Sequence, residues 1–189
     1  AGSSLVHSGG AWVALAAVMI IGPRTGRFDE DGKPTKMHGH SPIMATFGAI
    51  ILWMGWIGFN GGSTTAGTGE FARIVVNTMI AGATGALVMT GLGLMRSGGL
   101  HRPEWLINGS LSGLVANTAG CAFVTPQAAI VIGAMGSITC YYMSRQLVSW
   151  RLDDPLSAIS VHGFAGAVGT IMTAVMAEPE SLLAASRLE

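Results

Sequence analysis

Six apolar stretches, each close to the length that crosses a bilayer, recur along this chain of 189 residues and constrain its fold more than anything else in it. They cover residues 5–22, 43–59, 74–95, 106–123, 128–147 and 158–177. A helix needs about 20 apolar residues to span the hydrocarbon core. An open sheet cannot sit there, because its edge would leave backbone groups without partners. The expected fold class is therefore all-α integral membrane: one transmembrane domain, passing several times through a cell membrane. Composition agrees, with 11% charged residues against about 25% in soluble domains. The 28 glycines fit helices that approach one another closely in lipid.

Charge sets the direction of the helices. The links after the first, third and fifth stretches hold Arg24, Arg27, Lys33, Lys36, Arg96, Arg102, Arg145 and Arg151, eight of the ten Lys and Arg. Only Arg73 and Arg187 fall on the other side. Positive residues stay in the cytoplasm, so these three links are expected there. Trp105 and Trp150 sit beside them, where an aromatic belt would lie. The fourth stretch is the most polar, with Asn108, Ser110, Ser112, Asn117 and Thr118, and is expected to face other helices or a pore instead of lipid. The chain opens on Ala1-Gly2-Ser3-Ser4 and stops in a polar, helical tail, which suggests part of a longer protein.

Several function classes fall away. The formal net charge is zero, so no nucleic-acid partner is expected. Cys121 and Cys140 lie in apolar stretches and form neither a disulfide framework nor a CxxC site. There is no phosphate loop and no nucleophile triad, so the chain does not read as an enzyme and implies no cofactor.

Only two ionisable residues fall well inside the stretches, His7 and His162; His38, His40 and His101 lie in links. An ionisable group at membrane depth is costly and usually marks a pathway. The alternative is a structural histidine satisfied by its neighbours. The two contexts match as V-H-x-x-small-small-x-V-small, from Val6 to Ala14 and from Val161 to Gly169. From one match to the next the chain advances five stretches, the second to the sixth, an odd number of crossings, so such a repeat would be inverted in the membrane. With Pro155 in the first turn of the last helix, His162 would lie about 10 Å further in. Small neighbours at i+3 and i+4 would let the first and last helices cross there. Each neutral imidazole has one donor and one acceptor. If the two share a hydrogen bond, an outward donor or acceptor remains for a small polar guest, and the pair could relay a proton. A metal site is the rival, but no carboxylate or thiolate stands beside them.

The second stretch ends Trp56-Ile57-Gly58-Phe59-Asn60-Gly61-Gly62-Ser63. Spacings of three and four put Trp56, Phe59 and Ser63 on one helical face. An aromatic face attracts small cations, and a hydroxyl can accept from N–H. This reads either as a vestibule for a cationic, N–H-bearing solute or as an interfacial aromatic anchor.

Together these segments resemble the ammonium transporter family (Amt, Mep and Rh proteins). The resemblance rests on Ala1-Gly2-Ser3 to Val6-His7 and Gly22-Pro23-Arg24, on Gly55 to Ser63, on Asn77-Thr78, and on Leu152-Asp153-Asp154-Pro155 through Val161-His162-Gly163. It implies an eleven-helix, homotrimeric bundle with an inverted repeat, of which about six helices, the fifth to the tenth, are present. By resemblance His7 and His162 are paired pore histidines, Phe59 is a gate aromatic, and Ser63 and Trp56 belong to the outer recruitment site and pore wall. The partners implied are ammonium or ammonia and the lipid bilayer, and a cytoplasmic regulatory or signalling domain is possible. The implied function is an ammonium channel or transporter, with an ammonium-sensing membrane domain as the alternative. Departures from the family pattern are Ser157 for an Asp, Thr118-Ala119-Gly120 for a Thr-Pro-Ala pattern, and a long charged link between the first two helices.

Overall fold

The computed structural model describes residues 2–98 and 102–186; Ala1, His101 and Arg187, which carry expectations above, lie outside them. The described residues form seven helices: α1 (Ser3–Ile21), α2 (Pro42–Thr64), α3 (Gly69–Ser97), α4 (Pro103–Thr118), α5 (Pro126–Ser149), α6 (Ile159–Met176) and α7 (Pro179–Ser186). Among the described residues α1, α2, α3 and α6 are long and apolar enough to cross a membrane. The more polar α4 is enclosed by the others along its second half, residues 109–118, whereas α5 keeps an exposed face with Ile130, Val131 and Met135.

Local chemistry sets most of the boundaries. Ser41 caps α2 by accepting the Met44 N–H at 3.2 Å, and Pro42 follows in the first turn. Thr125 and Pro126 do the same for α5, with the Ala128 N–H 3.1 Å from the Thr125 hydroxyl. Proline suits this position because its missing N–H would have no helical partner there. The fourth apolar stretch reads as one helix to Phe123, yet α4 stops at Thr118. The Ala119 N–H instead donates to the Ser3 hydroxyl at 2.7 Å, and the Asn77 side chain donates to the carbonyls of Cys121 and Val124 at 3.0 and 2.8 Å. Residues 119–125 therefore form a pinned turn.

The start of α6 also differs. Helix α6 begins at Ile159, in a π-helical turn, not at Pro155. Residues 155–157 turn, with Ser157 left-handed at φ 54°, and Asp154 reaches past them to accept the N–H groups of Ile159 at 3.0 Å and Ser160 at 3.2 Å. His162 thus sits in the first turn of the helix, and the 10 Å counted from Pro155 does not apply.

Small residues let α3, α4 and α5 touch through their backbones. A Cβ on Gly113 would run into the carbonyl of Ala81, and one on Gly133 would lie 2.8 Å from the Ala81 Cα. Ser137 donates to the Gly85 carbonyl at 2.8 Å across the α3–α5 contact. Trp56, Leu114, Val115, Cys140, Tyr141 and Val161 fill the core beside it.

The links collect at two ends. At one, Asp153, 3% exposed, holds Arg24 at 2.7 Å and Arg27 at 3.3 Å, joining the link after α1 to the link after α5. The Arg24 guanidinium hydrogen-bonded to it holds the Asp153 carboxyl below the usual carboxylate range. At the other end Arg73, at the start of α3, bonds Glu178 after α6 at 2.9 Å and also the carbonyl of Ala122. The links richest in Lys and Arg thus share one end.

Candidate twin-histidine site

His7 and His162 meet. Their Nδ1 atoms are 3.3 Å apart and their rings stack with centroids 5.2 Å apart at 26°. Both are half-buried. Nδ1 faces Nδ1, so one ring donates from that nitrogen and the other accepts. The donor ring then has a bare Nε2, and the acceptor ring carries its proton on Nε2. The pair keeps one outward acceptor and one outward donor. The His7 Nε2 is buried and has no hydrogen-bond partner among the described residues.

Each histidine lies in a π-helical turn, Ser3–Ser8 for His7 and Ile159–Phe164 for His162, and each turn runs straight into an α-helix. A third π-helical turn, Ile57–Gly61, carries Phe59. Single π turns inside helices recur at functional sites. Their wider coil leaves carbonyls exposed, and a side chain occupies them here: Ser8 donates to the carbonyls of Gly163 and His162 at 3.0 and 3.3 Å. Close contact is possible because Gly166 faces Ser8; a Cβ there would be 2.7 Å from its hydroxyl oxygen. Ser3 donates to the Val115 carbonyl at 2.6 Å, tying the same turn to α4. The sequence shows no signal for the π turns, since π and α turns use the same residues.

Aromatic rings cover one side of His7. Trp56 stacks on it at 5.2 Å and 18°, and Phe59 tilts against it at 5.4 Å. Trp56 is fixed by its indole N–H, which donates to the Thr118 hydroxyl at 3.0 Å; Thr118 in turn donates to the Leu114 carbonyl at 2.8 Å. Ser63 does not share a regular α-helical face with these rings. The π turn and a 3₁₀ turn, Gly62–Thr64, intervene. It is exposed, and its hydroxyl donates back to the Phe59 carbonyl at 2.6 Å, which leaves its lone pairs free to accept. Ser157, where the family pattern has Asp, accepts from Asn108 at 3.0 Å. Among the described residues no cluster of three or more His, Cys, Asp or Glu stands ready for a metal.

This geometry has relatives. The model of the Ammonium Transporter Family matches residues 1–188. The chain belongs to the ammonium transporter family. The ammonium transporter Amt2 of Archaeoglobus fulgidus is 42% identical over 181 residues, 94% of this chain and 38% of that protein. A solved sensor Amt protein is 34% identical with a TM-score of 0.91, over 95% of this chain and 44% of that one. The crystal structure of Candida albicans Mep2 is 31% identical with a TM-score of 0.88, over 97% of this chain and 40% of that one. The chain thus spans less than half the length of these relatives. As a member of this ammonium transporter family it is a multi-pass integral membrane protein with an Amt-like all-α fold, in a family of transporters and not of enzymes.

Proposed function

We propose that this chain supplies the twin-histidine part of a protein that moves ammonium or ammonia across the cytoplasmic membrane. One observation carries the reading: two imidazoles, paired through Nδ1 at 3.3 Å, lie behind two aromatic rings in a helix bundle that belongs to this family. An ammonium ion is drawn to the aromatic faces of Trp56 and Phe59 and donates to the free lone pairs of Ser63. It gives up a proton there to solvent water at the exposed mouth where Ser63 lies. Ammonia then passes His7 and His162, accepting from the Nε2–H of one ring and donating to the bare Nε2 of the other. Potassium has no proton to lose and no N–H to donate, so the same path excludes it. The whole protein, on this reading, has six crossings from this chain within an eleven-helix, inverted-repeat, trimeric assembly.

A second reading is ammonium sensing, in which the site binds without much flux and the bound state shifts a conformational equilibrium. The similarity to a sensor Amt protein favours it, and Ser157 and Ala119, where the family pattern has Asp and Pro, are compatible with it. Full-length protein in liposomes separates the two. Ammonium-dependent current or uptake, absent with potassium, supports transport. Saturable ammonium binding with no flux at any concentration supports sensing, and neither binding nor flux refutes both.

A further inference from the structure

At the end of the bundle that gathers the basic links, a cavity of about 1000 Å³ opens between α3, α4, α5 and the link after α1. Six Lys and Arg side chains line it against three carboxylates. Two of the six, Arg24 and Arg27, are engaged by Asp153. Asp154 is engaged by the N–H groups of Ile159 and Ser160. This leaves Glu104 as the one carboxylate opposite Lys36, Arg96, Arg102 and Arg145. Among the described residues none of these four cations forms an ion pair.

The three arginines are nonetheless held in place. Arg145 lies 4.4 Å over the ring of Tyr141, Arg96 lies 5.6 Å over Tyr142 and Arg102 lies 5.8 Å over Trp105. Arg96 also donates to the Tyr142 hydroxyl at 3.2 Å. A guanidinium on an aromatic face keeps most of its N–H edge open, and that edge matches the paired oxygens of a phosphate. Basic pockets between helices on the cytoplasmic side suit phosphate headgroups.

We propose that this cavity binds a phosphate group, on an anionic lipid headgroup or a soluble phosphate, through Arg96, Arg102 and Arg145. Lys36, Arg96, Arg102 and Arg145 are exposed at the mouth of the cavity, where solvent screens their mutual repulsion in part, and a bound dianion or phosphodiester offsets the remainder. The link after α1, which contributes Lys36, closes one wall, giving its length and charge a use. The site is separate from the histidine pair and does not depend on what passes there.

The test uses full-length protein in detergent, examined by native mass spectrometry with phosphatidylglycerol, phosphatidylcholine or inorganic phosphate. The expected result is a phosphatidylglycerol or phosphate adduct that weakens about tenfold with each of Arg96→Gln, Arg102→Gln and Arg145→Gln. Arg151→Gln, the same charge change outside the cavity lining, should leave it unchanged. A phosphatidylglycerol adduct that inorganic phosphate does not displace identifies a lipid; displacement, or phosphate binding alone, identifies a soluble ligand. Adducts indifferent to all three substitutions, or equal for phosphatidylcholine and phosphatidylglycerol with no phosphate binding, overturn the proposal. If the variants fail to fold, the unaltered protein still decides: the adduct must fall as salt rises, and a salt-independent adduct overturns the site.

Discussion

Replacing His7 and His162 by Ala, singly and together, tests whether the pair acts as a unit. The structure gives them one direct hydrogen bond, at 3.3 Å and so slightly long, plus ring stacking at 5.2 Å. A neutral hydrogen bond of this kind contributes about 1 kcal/mol, which is about fivefold in a rate. Each single substitution also orphans the remaining ring's Nδ1, and the His7 Nε2 is already unpartnered, so a single change loses more than its own contacts. The double variant should therefore be at least fivefold more active than the product of the two single losses predicts. At the limit it is no worse than the weaker single variant. The assay is ammonium flux in liposomes, or ammonium affinity if the protein senses, with the four proteins at matched incorporation. Independent losses, with the double variant within twofold of the product, would refute the pair as a unit.

Two further outcomes follow from the packing and the charges. Gly169→Ala places a Cβ against the backbone of Ala116 on α4, where no flexible side chain can yield; it should cost about 1–3 kcal/mol and lower the melting temperature in detergent, and an unchanged melting temperature would show that α4 and α6 are not in backbone contact. Asp153 has a folded-state pKa lowered from 3.8, mainly by its hydrogen bond from Arg24, so its contribution is complete above that ordinary value and is lost as pH falls through the lower one. The melting temperature should drop more steeply below about pH 4 in the unaltered protein than in Asp153→Asn, whereas parallel curves would remove Asp153 from the account.

The helices were legible because hydrocarbon demands the same thing of every span, and hydropathy records it. The histidine pair was legible for a related reason: His7 and His162 are the two histidines inside the apolar stretches, and their contexts match. Trp56 and Phe59 could be grouped from spacing, although a π turn brings both rings to His7 where a regular face was expected. What could not be read depends on side chains acting across the chain. Asp154 caps a helix that starts five residues later, past a left-handed Ser157, so Pro155 gave a false start. Ser3 and Asn77 end α4 from two other helices. The arginine cavity draws on links far apart in sequence, each of which looked like an ordinary cytoplasmic loop.

The enclosure of α4 has a consequence for how the protein is made. Ser112, Asn117 and Thr118 are fully buried, and neither Asn117 side-chain polar atom has a partner among the described residues. Ser112 and Thr118 donate to the Gly109 and Leu114 carbonyls of α4 itself, so of these three the helix alone in lipid would present one unsatisfied group, the Asn117 amide, at a cost of several kcal/mol. α3 and α5 meet it backbone to backbone at Gly113 and Gly136 and cover that face with close packing in place of lipid, so the three helices are expected to enter the membrane as one unit.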